Sequence, residues 1–228
     1  MFTYLLINIF SIAVPLAFSF HPRIRFYKEW KQLFPAILVT GVFFLTWDHY
    51  FTKWGVWGFN PDYVMGIYLA GMPVEEWLFF LCIPYSCLFI YHCLNLFLEQ
   101  TWWNKAGRLI SWGVVGICMV LMIYGWSRFY TFATTFFLAV FILLLMIYKH
   151  DNWMGKFYRA YLVSKIPFLA VNGLLTSLPV VIYNNEENLG RRIYSIPVED
   201  AFYSMLMLMM VTAIYEYLKI RTKKRATV

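Results

Sequence analysis

Apolar residues in this chain come in long unbroken runs, and polar residues collect in the gaps between them. A helix needs about 20 apolar residues to cross a bilayer, and seven runs approach that length. They cover residues 2–20, 33–47, 74–97, 109–126, 129–148, 161–183 and 198–220, with a long aromatic loop over 48–72. The sixth run carries Lys165, Pro167, Asn172 and Pro179, so it is expected to kink or break. Strict alternation, the mark of a membrane β-barrel strand, is absent. The predicted fold is all-α, a polytopic transmembrane helical bundle of about seven spans.

Composition agrees with the pattern. Charged residues are 14% of the chain, against about 25% in soluble domains. Their placement sets an orientation. Arg23, Arg25, Lys28, Lys31, Lys105, Arg108, Lys149, Lys156, Arg159, Lys165, Lys219, Arg221, Lys223, Lys224 and Arg225 fall on one side of the seven-span layout. Only Lys53, Arg128, Arg191 and Arg192 fall on the other. Basic residues mark the cytoplasmic side, so the N-terminus is expected outside and the C-terminus inside. The net charge of +7 is thereby a topology signal, and no nucleic-acid partner is implied. The first run lacks a basic n-region and a small-residue cleavage site, so it is expected to be a retained helix.

The sharpest polar signal is a repeated one. Met72-Pro73-Val74-Glu75-Glu76-Trp77 opens the third run, and Ile196-Pro197-Val198-Glu199-Asp200-Ala201 opens the seventh. From Glu75 to Glu199 is a shift of 124 residues. The same shift places Asn60 on Asn184, Gly66 on Gly190, Tyr91 on Tyr215 and Asp48 on Asn172. It predicts two three-helix repeats, residues 1–100 and 128–228, joined by a linker helix in 101–127. Corresponding spans are an even number apart and cross in the same direction. A pseudo-twofold axis along the membrane normal follows, as in parallel-repeat transporters. Both acidic pairs then reach the same depth and can face one cavity.

Proline followed by acidic residues is also an ordinary helix start, because the carboxylates meet the positive end of the dipole. Duplication at membrane depth weighs toward function. Carboxylates crowded into a dry pocket cannot all ionise cheaply, so one retains a proton and can act as an acid. Glu75, Glu76, Glu199 and Asp200 are the candidate acid–base residues. Asp48 either joins them or marks the water boundary, and Asn172 in its place makes the halves chemically unequal. Trp47, Trp57 and Trp77 either belong to an interfacial aromatic belt or line a pocket that stabilises a cation. Arg191 and Arg192 either pair with Glu186 or Glu187 at the surface or reach the pocket. His21 and His150 read as boundary residues, and His49 and His92 fall near or within spans. No histidine cluster appears, and Cys82, Cys87, Cys93 and Cys118 read as small buried hydrophobes, so no metal site is expected. A glycine-rich nucleotide fingerprint and the Asp-x-x-x-Asp arrays of prenyl-diphosphate enzymes are both lacking.

Phe43-Phe44-Leu45-Thr46-Trp47-Asp48, the Trp-rich loop through Asn60 and Pro61, Gly71-Met72-Pro73-Val74-Glu75-Glu76 and Pro197-Val198-Glu199-Asp200 together resemble the small integral-membrane lycopene cyclases of bacteria, archaea and fungi. The resemblance is to the form in which two half-proteins are fused, without the phytoene synthase segment of the fungal fusions. It implies an integral protein of a bacterial or archaeal cell membrane. The implied substrate is lycopene or a related carotenoid, and the reaction is a non-redox cyclisation to β-ionone rings through a tertiary carbocation, with no cofactor. Such chemistry needs a positioned acid, a base, cation stabilisation and exclusion of water. On this resemblance Glu75 or Glu76 donates the proton, Glu199 and Asp200 are the complementary acid or base, and Asp48 supports the pair. Trp47 and Trp77 help shield the cation, and Trp57 and Asn172 join them as substrate-binding residues. A C50 carotenoid cyclase, a hydratase, a small proton-coupled transporter and a structural membrane subunit stand as alternatives. A homo-oligomer is compatible with all of them.

Overall fold

The computed structural model describes residues 2–98, 103–149 and 152–226. His150 lies outside them. The described chain forms seven helices: α1 (Thr3–Phe18), α2 (Trp30–Lys53), α3 (Val74–Phe97), α4 (Trp103–Tyr124), α5 (Phe129–Ile147), α6 (Met154–Ser177) and α7 (Glu199–Ala226). The all-α membrane class of the apolar runs holds. Five helices, α2, α3, α4, α5 and α7, contain a stretch long and apolar enough to cross a bilayer. α1 is apolar but shorter, and α6 is diluted by Lys156, Arg159 and Lys165.

Several boundaries differ from the apolar runs, α4 starting and α7 ending six residues beyond them, and those of α2 and α6 bear on the site. α2 continues to Lys53, so Asp48 lies on a helix and not in a loop. The mixed polar and aromatic stretch after Trp47 ends the hydropathy signal without ending the helix. α6 begins at Met154 and stops at Ser177, just before Leu178 and Pro179. Proline disfavours helical geometry in the residue before it, so the helix ends there and the chain beyond turns to extended structure. Pro167 sits inside α6 without interrupting it.

Six short strands shape the connections into α3 and α7: β1 (Trp57–Phe59), β2 (Tyr68–Leu69), β3 (Met72–Pro73), β4 (Val181–Tyr183), β5 (Arg192–Ile193) and β6 (Ile196–Pro197). β2 and β3 form a hairpin with Tyr68 opposite Pro73 and Leu69 opposite Met72. β5 and β6 repeat it 124 residues on, with Arg192 opposite Pro197 and Ile193 opposite Ile196. β1 pairs antiparallel with β4 in the register Trp57–Tyr183, Gly58–Ile182 and Phe59–Val181. Advancing every residue of β1 by 124 gives β4, so this pair maps onto itself about its centre at Gly58 and Ile182. The amide of Asn60 bonds to the Val180 carbonyl at 3.0 Å, and that of Asn184 bonds to the Val56 carbonyl at 2.9 Å.

The residues matched by the shift find local reasons in these connections. Gly66 and Gly190 take left-handed φ values of 82° and 65°, which glycine adopts without a Cβ clash. Asn60 and Asn184 each accept a hydrogen bond from the amide two residues on at 3.0 Å, turning the chain as Asx residues do. Tyr91 and Tyr215 lie toward the other end of the bundle, where they donate to Glu216 and Glu29, both at 2.8 Å.

Helix packing follows the same correspondence. α1 packs on α3 and α5 on α7, while α2 meets α7 and α3 meets α6. α4 lies against α5 and α6. Where it crosses α6, a Cβ on Gly107 would stand 2.7 Å from the Gly155 nitrogen, so this close approach requires glycine. The continuous core includes Leu33, Phe44, Phe80, Tyr85, Leu138 and Val211.

Candidate active site

α3 begins directly behind Pro73, whose φ of −63° and ψ of 146° bring an extended chain into the helix. Adjacent residues on a helix point about 100° apart. Glu75 and Glu76 therefore separate. The Glu75 Oε1 accepts from the Met65 amide at 2.7 Å and ties down the preceding loop. Glu76 turns into the bundle. α7 repeats the division: Glu199 Oε1 accepts from the Leu189 amide at 2.8 Å and from Thr131 Oγ1 at 2.7 Å, and Asp200 turns inward. The second carboxyl oxygens of Glu75 and Glu199 are buried without a hydrogen-bond partner.

Asp48, Glu76, Asp200 and Asn172 converge on a cavity of about 70 Å³ between α2, α3, α6 and α7. All four are buried. Tyr4, Tyr130, Tyr183, Tyr203, Trp57 and Phe59 complete most of the wall. The Asp48 and Glu76 carboxyls face each other within hydrogen-bonding reach. Tyr203 donates to Asp48 Oδ1 at 2.8 Å, and Tyr4 donates to Glu76 Oε2. Asp200 is held differently. Its Oδ1 accepts from Tyr130 at 2.7 Å, and its Oδ2 accepts from Asn172 at 2.6 Å and from Tyr183 at 2.9 Å. Tyr183 is in β4, outside the helices. Burial, and then the Asp200 carboxylate against it, pushes its phenol above the ordinary range, so it remains a donor.

A hydrogen bond between two carboxyl groups contains a proton by necessity, because neither carboxylate can donate. The Asp48–Glu76 pair can thus store one proton in a water-poor, aromatic enclosure. Asp200, surrounded by three donors, is placed as an acceptor.

The cavity adjoins a larger groove of about 440 Å³ between α1, α3 and α6. Phe79, Ile83, Phe168, Asn172 and Ser204 line both. Its outer residues Phe10, Val14 and Leu174 are 73%, 62% and 48% exposed, so the groove opens sideways on the apolar flank of the bundle. In a membrane that flank faces lipid.

Several sequence expectations are rearranged. Four carboxylates of the two motifs were expected at one cavity. Glu75 and Glu199 do not line it, because helical rotation turns them toward the loops, while Asp48 does. Of the three tryptophans, only Trp57 is on the wall, edge-on to Tyr130 at 5.1 Å between centroids. Trp47 is buried one layer behind, stacked on Phe44 and edge-on to Tyr203 at 5.9 Å. Trp77 points to the β2–β3 hairpin and donates to the Leu69 carbonyl at 3.2 Å. Arg192 holds its own loop through the Ser195 carbonyl and Asn185, each at 2.8 Å, and Arg191 is exposed. His49 lies 2.7 Å from the Ala70 carbonyl and braces the same hairpin from α2.

Four tyrosines of the cavity wall, Tyr4, Tyr130, Tyr183 and Tyr203, carry no mark in the sequence that singles them out. Tyr183 and Tyr203 occupy positions whose counterparts 124 residues earlier are Phe59 and Phe79. Tyr4 and Tyr130 play matching roles but are 126 residues apart, so an ungapped shift does not align them. Phenols spaced along apolar runs also look like an interfacial belt.

The family model described as lycopene cyclase matches residues 1–94 and 127–218. The omitted stretch contains α4. A curated relative, the bifunctional lycopene cyclase/phytoene synthase of Podospora anserina, is 28% identical over 125 residues. That alignment spans 50% of this chain and 20% of the relative's length. No solved structure matches the chain.

Proposed function

Because the chain belongs to the lycopene cyclase family, we propose that it is a lycopene β-cyclase, converting ψ-ends of lycopene to β-ionone rings without change of oxidation state. The observation that carries this reading is the meeting of Asp48, Glu76 and Asp200 in an aromatic cavity beside an apolar groove open to lipid. Lycopene dissolves only in the bilayer, and such a groove admits it from the side. The chain end reaches the acid cavity, and the polyene lies in the groove.

The Asp48–Glu76 pair delivers its proton to C2 of the terminal double bond. The C1 tertiary cation is attacked by the C5–C6 double bond, which closes the six-membered ring and moves the charge to C5. Loss of the C6 proton forms the C5–C6 double bond of the β-ring. One proton enters and one leaves, so the reaction is an isomerisation. Asp200 stands on the opposite repeat as the anion that faces the cation and receives the departing proton. The ring faces of Trp57, Tyr130 and Tyr203 stabilise positive charge between these events. Exclusion of water prevents capture of the cation as an alcohol. Glu75 and Glu199 act on the loops and hold the site's roof. Trp47 supports Tyr203 from behind, and Trp77 anchors the β2–β3 hairpin.

The chain is read as two three-helix repeats, residues 1–100 and 128–228, with α4 as the linker that lets them run parallel. Its N-terminus lies outside and its C-terminus in the cytoplasm, following the basic residues. Expression in cells that accumulate lycopene tests the activity: β-carotene should replace lycopene in the extracted pigments. Unchanged lycopene beside membrane-integrated protein would overturn the reading.

A further inference from the structure

The groove holds one charge that the reaction above does not use. Lys165 of α6 projects into it, with Nζ donating to Ser204 Oγ at 2.9 Å. The rest of its surroundings are aromatic: Nζ stands 4.1 Å from the Tyr161 ring centroid and 3.8 Å from that of Phe168. Among the described residues no ion pair holds it. Ser204 and Phe168 also line the acid cavity, so the ammonium lies where groove and cavity adjoin. The position 124 residues earlier is Gly41. The repeated fold therefore does not demand a lysine here, and an ammonium set among hydrocarbon is costly to maintain.

Protonation of a carotenoid has an intrinsic selectivity problem. Adding a proton to a carbon of the conjugated chain gives a cation spread over many atoms. Adding it to the isolated terminal double bond gives a localised tertiary cation, which is the less stable of the two. Ring formation needs the localised cation. Coulombic repulsion acts over long distances in a poorly polarisable environment, so an ammonium beside the polyene raises the energy of any cation there. Inside the cavity Asp48, Glu76 and Asp200 act in the opposite sense.

We propose that Lys165 is a selectivity residue whose ammonium repels positive charge from the conjugated chain and confines protonation to the terminal double bond. This rests on the cyclase reading. Chain protonation followed by loss of a proton from the same or a conjugated carbon is the side reaction that it suppresses. That side reaction leaves hydrogen isotope, a geometrical isomer or a shifted double bond in the chain, again with no net oxidation.

Membranes containing the protein, supplied with lycopene in liposomes prepared in D2O, provide the test by mass spectrometry and NMR of the pigments. Wild type should place one deuterium per ring, on the ring carbon that receives the proton. Lys165→Met should still form rings, at a rate within about tenfold of wild type, but with deuterium in the chain at several times the wild-type level and a raised share of Z isomers. Lys165→Gln should behave as the methionine variant, and Lys165→Arg, which keeps the charge, should restore clean products. A wild-type isotope pattern in both neutral variants would overturn the proposal. So would loss of ring formation in the arginine variant, which would make Lys165 a proton carrier. Wild type that makes no ring at all would instead remove the cyclase reading itself.

Discussion

The two acidic clusters share a backbone and differ in their hydrogen-bond partners. In the first, Asp48 and Glu76 face each other across the cavity wall and accept from Tyr203 and Tyr4. In the second, Asn172 takes the place of Asp48, and Asp200 receives Asn172, Tyr130 and Tyr183. Aspartate and asparagine are nearly the same shape. Replacing one by the other leaves the packing intact but turns a proton-sharing pair into an amide donor on a carboxylate. In the proposed cyclase the two repeats would thus hold an acid on one side and an acceptor on the other, which a symmetric site could not do.

Breaking the acid side should have the largest effect. Glu76→Gln is expected to lower ring formation by about 10³-fold or more, within the range of general acid catalysis, with the protein still present in the membrane. Its measure is initial rate in membranes of equal protein content. Asp200→Asn should cost about 10²-fold, because it removes the facing anion while keeping the three donors nearby. Asp48→Asn makes the first cluster resemble the second and should cost about tenfold to 10²-fold. Equal rates for Asp48→Asn and wild type would show that no shared proton is needed. Tyr203→Phe, which installs the residue found at the corresponding Phe79, should reduce the rate only several-fold, since a single phenol hydrogen bond is lost. The smallest catalytic effect is expected at Glu75. Glu75→Ala should lower stability by about 1–3 kcal/mol through the orphaned Met65 amide. The rate per folded molecule should stay within a few-fold. Thermal unfolding in detergent and rate per folded protein separate the two contributions, and a 10²-fold rate loss would place Glu75 in the acid machinery.

Much of the bundle was legible in the chain. Apolar runs mark helices because a bilayer leaves backbone groups no partner except their own helix. The 124-residue shift located the acidic pairs together with Asn60, Gly66 and their counterparts, whose conformational demands recur wherever the connection recurs. The small strands were not legible. Two or three residues carry no periodicity, and β1 is held by β4 from more than a hundred residues away. The end of α2 was misplaced because hydropathy declines at Asp48 while the helix continues to Lys53.

Local sequence by itself determined the helices and the presence of two acidic pairs at equivalent places. It could not rank the carboxyls, because neighbours on a helix diverge and their targets lie elsewhere in the chain. Only the tertiary structure decided that Glu76 and Asp200 face the cavity while Glu75 and Glu199 face loops, that Asp48 completes the acid pair, and that tyrosines from α1, α5, α7 and β4 supply the donors. Hydropathy depends on each residue and its near neighbours. The site depends on where distant helices bring their faces together.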